Sequence, residues 1–321
     1  MKKLTILGAI HADAMALAES REDVSITLVH PNFTPRETLE WTTRGAHGIA
    51  VRGARLDADL LAGIPELEIV SRHGVGCDTV AVDWMSANGK PVAIAVGGND
   101  RAVAEHTLGM ILTLSRDLIP QNEAMRNADW TVRERVAPSD IEGKTLLIVG
   151  YGRIGKRVAP LAQAFGLRVL AYDPYVESYA DGVERVTDLN AALPDADIVT
   201  MHTPLNDETR GIIGPAQLTA MPPGAILINN ARGGICDEEA VAAALKTGHL
   251  GKYGTDVFGV EPANTDNPII TAPNTLMTPH SASMTPQAMR SMGLIMIQNI
   301  FDQFDGCLKP EMVFNRKELG L

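Results

Sequence analysis

Residues Thr145–Asp173 read TLLIVGYGRIGKRVAPLAQAFGLRVLAYD, and this stretch decides the fold. Thr145–Val149 carries apolar residues on both alternations, the mark of a strand buried on both faces. It runs into Gly150-Tyr151-Gly152-Arg153-Ile154-Gly155, then into a helix predicted over Lys156–Phe165. A second strand, Arg168–Tyr172, ends at Asp173, 23 residues after Gly150. GxGxxG alone is a weak signal, but strand, helix and terminal acid together are the full context of a dinucleotide-binding unit. Gly150 permits the turn, Gly152 lets the backbone approach a pyrophosphate, and Gly155 lets helix and strand pack. The helix N-terminus adds free amides and positive dipole for the phosphates. Asp173 can accept hydrogen bonds from both hydroxyls of an adenosine ribose and repels a 2′-phosphate. Pro174 and Tyr175 supply no compensating arginine, so the pattern favours NAD over NADP.

Similar short apolar runs flank this unit on both sides. Before it they are Lys3–Leu7, Val24–Val29, Gly48–Val51, Leu67–Ser71 and Val92–Val96. After it they are Asp197–Thr200, Ala225–Asn229, Tyr253–Val257 and Leu276–Thr278. Strands alternating with helical stretches over 321 residues imply an α/β chain of two domains with parallel sheets. The break falls at Gly97-Gly98-Asn99, a hinge candidate. The stretch Ala102–Leu114 after it is apolar nearly all round, as expected of a helix covered by a domain core on one side and a partner subunit on the other. Gln287–Phe304 is a long helical stretch expected to cross back to the first domain. The predicted boundaries are 1–98 with 286–321 for one domain and 99–285 for the other.

The bulk composition narrows the partners. The net charge is −11, which disfavours nucleic acid and anionic membrane surfaces as partners. An anionic substrate then needs a local arginine cluster. Three cysteines, Cys77, Cys236 and Cys307, with no CxxC, support neither a disulfide framework nor a cysteine-rich zinc site, and no metal is expected. A reducing, cytoplasmic setting fits better. No apolar run is long enough to span a bilayer, and the N-terminus reads as strand Lys3–Leu7 and helix Ala12–Glu19 rather than as a signal peptide.

Three polar groups follow three predicted strands of the second domain. Arg232 lies beyond Ala225–Asn229, Glu261 beyond Tyr253–Val257 and His280 beyond Leu276–Thr278. The C-terminal edge of a parallel sheet is where α/β proteins bind ligands. The residue types suit hydride chemistry on a hydroxy acid: a histidine to exchange the hydroxyl proton, a carboxylate to orient it and favour imidazolium, and an arginine to clamp a carboxylate and polarise a carbonyl. By position alone each of the three is as readily a structural residue.

With these residues together, the chain resembles the D-isomer-specific 2-hydroxyacid dehydrogenase family, its phosphoglycerate dehydrogenase-like branch in particular. The resemblance runs from about Val51 to Phe304. It rests on Gly74-Val75-Gly76-Cys77-Asp78, Val103-Ala104-Glu105-His106, Gly143-Lys144-Thr145 with the GxGxxG, His202-Thr203-Pro204-Leu205 with Thr209, Ala231-Arg232-Gly233-Gly234, Asp256-Val257-Phe258 with Glu261-Pro262, and Thr278-Pro279-His280. It implies two doubly wound parallel-sheet domains: a Rossmann NAD-binding domain carrying the dimerisation helix and arm, about Arg101–Val136, and a flavodoxin-like substrate domain. It implies Arg232, Glu261 and His280 as the catalytic residues. Val75 and Gly76 match the loop whose amides hold the substrate carboxylate. Asp256 matches the acid that bonds the nicotinamide carboxamide, and His202, Thr203 and Pro204 match the loop beside the adenosine. Thr209, Ala231 and His280 complete the expected cofactor set. The implied protein is a homodimer that closes its domains over a small anionic 2-hydroxy or 2-keto acid.

Arg52 and Arg72 match positions that resemble phosphate contacts in that branch, and they suit a distal phosphate, carboxylate or sulfonate. Other features depart from it. Ser281-Ala282-Ser283 follows His280 where a glycine is usual two positions on, Cys236 stands where many members have valine, and no regulatory extension is expected after Leu321. Glyoxylate or hydroxypyruvate reduction is therefore an alternative. Formate oxidation is disfavoured, because the resemblance implies glutamine at the position of Glu261 in such enzymes. An NAD-sensing, corepressor-like binding protein would keep the same trio.

Overall fold

Every strand pairs in parallel with its neighbours in the computed structural model, which describes residues 1–30 and 35–321. The chain divides into two units, Met1–Asn99 with Met284–Leu321, and Asp100–Ser283.

The first unit holds β1 (Lys2–Leu7), β2 (Val24–Val29), β3 (Gly48–Val51), β4 (Ile69–Arg72) and β5 (Val92–Ala93) in the order β2-β1-β3-β4-β5. That is the flavodoxin-like winding. The Pro286–Phe304 helix returns to this sheet, where Met296, Ile297 and Ile300 are buried with Leu4, Ile6 and Ile69. Its start is fixed by Thr285, whose side chain accepts from Ala288 N, with proline at the first helical position. His73, just past β4, is buried and reaches Met289 O of that helix at 3.3 Å. Burial, with Arg52 and Arg72 nearby, pushes its imidazole down to about 4, so it is neutral at physiological pH.

The second unit holds β6 (Thr145–Val149), β7 (Arg168–Tyr172), β8 (Val183–Val186), β9 (Ile198–Met201), β10 (Ala225–Asn229), β11 (Leu250–Thr255) and β12 (Thr275–Met277). Their order is β12-β11-β10-β9-β6-β7-β8, the dinucleotide-binding winding with one strand added at the far edge. The order reverses between β6 and β9, so the GxGxxG turn and the His202 loop sit side by side at the switch point.

Three strands differ from the sequence reading. β8 was not expected: its Glu184 and Arg185 are exposed on an edge, and Arg168 of β7 holds Glu184 through Nε at 2.8 Å and Nη2 at 2.5 Å. β11 begins three residues earlier than the apolar run, because Gly251, Lys252 and Gly254 disguise it. Asp256 and Val257 therefore lie beyond the strand rather than in it. β5 is only two residues long.

The Asp100–Ser115 helix is covered mostly by its own unit. Leu108, Met110, Ile111 and Leu114 join the core beside Leu146, Ile148, Ile226 and Ile228. Arg101, Glu105 and Gly109 form its exposed stripe. The following Leu118–Arg126 helix buries no residue, and Leu118, Ile119, Met125 and nearby Trp130 are exposed. Among the described residues no helix is long and apolar enough to cross a membrane.

Candidate active site

The GxGxxG turn forms because β6 runs into a backbone approach that only glycine allows. Gly150 has φ 96°, and a Cβ there would stand 2.7 Å from His202 C and O. The turn and the two loops beside it line a cleft of about 400 Å³, with Gly150, Gly152, Asp173, Tyr175, His202, Thr203, Pro204, Glu208 and Thr209 on its walls. Asp173 is held in place by its own backbone neighbours. Oδ2 accepts from Tyr151 N and Oδ1 from Tyr175 N, each at 2.9 Å. Thr209 Oγ1 donates to Pro204 O at 2.6 Å and fixes the opposite wall.

The cleft suits a dinucleotide on its own evidence. A Cβ at Gly152 would meet nothing within 4 Å, which leaves open space over the turn. His202 Nδ1 and Thr203 Oγ1 are buried without a hydrogen-bond partner in the cleft wall. Buried polar atoms without partners are uncommon and point to a missing ligand or water. Burial holds the His202 ring neutral, with its pKa down to about 3, so it offers a hydrogen bond and not a charge.

Not every expected cofactor residue faces this cleft. The Tyr151 ring is buried and stacks on Tyr179 at 4.8 Å, leaving its backbone as the only part near the turn. Arg153, Ile154, Gly155, Ala231, Asp256 and His280 are outside its lining. Tyr172, Pro174, Tyr175, Asn206, Glu208 and Ile212 also line it, outside the expected set. Tyr175 is 75% exposed and its hydroxyl donates to Glu208. Glu208 thus puts a second carboxylate beside Asp173.

The proposed proton-transfer residues meet at the C-terminal edge of β10, β11 and β12. His280 Nδ1 lies 2.7 Å from Glu261 Oε2, and Glu261 Oε1 accepts from Phe258 N at 3.0 Å. Burial acts to raise the Glu261 carboxyl. His280, the Phe258 amide and the Arg232 charge outweigh it and hold the carboxyl below its ordinary range. With Nδ1 committed to Glu261, His280 Nε2 is the atom left for chemistry. His280 has φ 51°, a left-handed backbone that costs a non-glycine residue about 1–3 kcal/mol and persists only where its surroundings hold it.

The Arg232 loop is pressed against the loop that leads to Glu261. A Cβ at Gly233 would sit 1.9 Å from Phe258 C, so only glycine lets the two approach. Asn229, fully buried, braces the turn by donating to Arg232 O at 2.8 Å and accepting from Ala231 N at 3.1 Å. Glu238 secures the other loop, accepting from Gly259 N at 2.8 Å and Asn267 Nδ2 at 2.9 Å. Neither brace was visible in sequence, where each reads as an ordinary polar residue.

In the first unit, Arg72 spends two donors on carbonyls, Nε to Gly76 O and Nη1 to Arg52 O, both at 2.8 Å. It shapes the loop that holds Val75 and Gly76. Arg52 reaches Ala9 O at 3.3 Å, and burial lowers its guanidinium from the ordinary value.

The profile of the D-isomer specific 2-hydroxyacid dehydrogenase NAD-binding domain matches residues 108–282. A D-3-phosphoglycerate dehydrogenase of Methanocaldococcus jannaschii is 34% identical over 317 residues, covering 98% of this chain and 59% of that protein. This chain belongs to the D-isomer specific 2-hydroxyacid dehydrogenase family. An (S)-sulfolactate dehydrogenase of Chromohalobacter salexigens is 36% identical over 292 residues, 90% of this chain and 94% of its own. The TT0316 protein of Thermus thermophilus superposes with a TM-score of 0.89 at 29% identity, over 97% of this chain and 99% of that one. The chain spans only 51% to 59% of the length of the phosphoglycerate dehydrogenases it matches. The family's NAD-binding domain coincides with the second unit, which carries the cleft at Asp173.

Two carboxylates in that cleft should reject a 2′-phosphate. By isothermal titration, NADH should bind at least about tenfold tighter than NADPH, equivalent to roughly 1.4 kcal/mol. Asp173→Ala should weaken NADH, whereas Glu208→Gln should chiefly strengthen NADPH. Equal affinity of the parent for both nucleotides would refute this.

Proposed function

We propose that the chain is an NAD-dependent D-2-hydroxyacid dehydrogenase acting at C2 of a small 2-hydroxy or 2-keto acid. The His280–Glu261 pair, 2.7 Å apart with the Arg232 charge bearing on it, carries this reading. Bound NAD(H) would accept or supply the hydride. His280 Nε2 takes the hydroxyl proton in oxidation and returns it in reduction. Glu261, ionised at neutral pH, favours the protonated ring and fixes its tautomer. Arg232 binds the substrate carboxylate and polarises the carbonyl. The amides of Val75 and Gly76 are the further carboxylate donors. Asp256 keeps acceptor capacity for the carboxamide, since a carboxylate has about four lone-pair sites.

His280→Ala should lower kcat for keto-acid reduction by roughly 10²–10⁴-fold while NADH still binds. Glu261→Gln keeps a hydrogen bond but removes the charge that holds a proton on His280. Its reduction rate should therefore fall off at a lower pH than the parent's. NADH absorbance across a pH series reads both, and near-parental turnover in His280→Ala would move the proton chemistry elsewhere.

The substrate class follows from Arg52. Relatives named for phosphoglycerate and sulfolactate support a distal phosphate or sulfonate. Arg52→Ala should raise KM for a 2-keto acid with such a group by about tenfold more than for glyoxylate, the loss of one charge-assisted contact. Arg72→Ala should impair both substrates alike, because it braces the loop. The carbonyl bonds of Arg72 favour a second reading, glyoxylate or hydroxypyruvate reduction without a distal anion, and an equal response to Arg52→Ala would select it.

The chain is further proposed to be a homodimer. Leu118, Ile119, Met125 and Trp130 form an apolar surface on a helix that buries no residue within its own chain and on the arm that follows it. Light scattering at micromolar concentration should give twice the chain mass, and Ile119→Glu with Trp130→Glu should give monomers. A monomeric parent would refute the interface. None of Cys77, Cys236 and Cys307 forms a disulfide, consistent with a cytoplasmic setting.

A further inference from the structure

Three consecutive backbone amides converge on one residue just past β11. His280 N donates to Asp256 O at 2.8 Å, Ser281 N to Asp256 Oδ1 at 2.7 Å and Ala282 N to Asp256 Oδ2 at 2.9 Å. Two of these amides, on Ser281 and Ala282, close on the carboxylate as in an anion-binding nest, and the third holds the main chain beside it. The turn that carries His280 is thus wound around a carboxylate that is 1% exposed.

That carboxylate is itself held from the far side. The Thr278 hydroxyl donates to Asp256 Oδ1, and His106 Nε2 lies 3.1 Å from Thr278 Oγ1. A hydroxyl has one hydrogen to give. Thr278 gives it to Asp256, so it accepts from His106, whose Nε2 must carry a hydrogen. His106 is half-buried on the Asp100–Ser115 helix, which packs against β10 and β11.

We propose that His106 is a positioning residue for His280, acting through Thr278 and Asp256; this rests on reading His280 as the proton-transfer group. Asp256 alone could rotate its carboxylate and let the turn relax. With Oδ1 pinned by Thr278, and Thr278 pinned by a helix in the core, the Ser281 and Ala282 amides have one fixed carboxylate to bond, and the Asp256 carbonyl beside it holds the His280 amide. The left-handed backbone of His280 is then over-determined, and its Nδ1 stays on Glu261.

The test uses His106→Leu, which removes the donor, His106→Gln, whose amide replaces Nε2–H, and Thr278→Val, which removes the relay at constant shape. His106→Leu and Thr278→Val should each lower kcat by about 10- to 100-fold, the cost of a misplacement near 1 Å, with keto-acid KM near its parental value. The double variant should be no worse than either single, since both break one chain. His106→Gln should recover most of the rate. The Glu261 carboxyl, followed by carbon-13 NMR, should titrate higher in His106→Leu, having lost His280 while keeping the Phe258 amide and Arg232, and return in His106→Gln. Parental kcat and an unmoved Glu261 titration in His106→Leu would overturn the proposal, as would additive losses in the double variant. The NMR arm reads positioning without turnover. A parent that reduces no keto acid would therefore overturn the proton-transfer reading, and the titration would still decide this one.

Discussion

Parallel pairing is the constraint on which the rest depends. A parallel ladder puts the C-terminal ends of all its strands at one edge, whatever their order in the chain. The turn after β6, Asp173 after β7, His202 after β9, Arg232 after β10, Asp256 after β11 and His280 after β12 are scattered through the sequence. They share an edge because each strand must enter the sheet in the same direction. The reversal of strand order between β6 and β9 then opens the crevice in which the glycine turn meets the His202 loop. Two glycines make this edge close enough to work. Gly150 admits the His202 backbone, and Gly233 admits the Phe258 backbone, and in both places a Cβ would overlap main-chain atoms that cannot move aside.

Much of this architecture was legible in the sequence because buried parallel strands are continuous apolar runs. The runs at Thr145–Val149, Arg168–Tyr172 and Ala225–Asn229 coincide with observed strands. The signal failed where a strand is not buried on both faces. β8 lies at an edge with Glu184 and Arg185 in solvent, and it is tied to the sheet by its ladder with β7 and by Arg168, which holds Glu184 from 16 residues away. β11 contains two glycines and a lysine, and Lys252 is satisfied by Leu114 O and Asp117, which no local pattern reveals. The apolar Ala102–Leu114 stretch was rightly a helix, but its own unit covers most of it. Periodicity reports that a face is buried and does not report by what.

The site divides the same way. The glycine motif, Asp173 and the Arg232, Glu261 and His280 positions follow from residue types at strand ends. The residues that hold them do not. Asn229 braces its turn by two local bonds, while Glu238 ties Gly259 to Asn267 and Thr278 links His106 to Asp256 over separations that only the fold closes. Arg72 is the instructive case. As a cation near a substrate loop it reads as an anion contact, yet its donors on Gly76 O and Arg52 O make it a loop brace.

On the proposed function, an acidic chain has to hold two anions. A net charge of −11 repels both a dinucleotide and a hydroxy acid at long range. The dinucleotide cleft does not answer this with cations: its side-chain charges are Asp173 and Glu208, and attraction must come from the glycine-turn amides and the helix that starts at Gly155. Backbone dipoles act at short range and are not screened away at the contact, whereas the two carboxylates meet only the ribose and its surroundings. Positive charge is concentrated instead where chemistry needs it, on Arg232 and on His280 when protonated. Glu261 is kept ionised there despite partial burial, so the pair carries little net charge and arginine supplies the field. On that reading, recognition of the nucleotide is carried by geometry, and recognition of the reacting acid by charge.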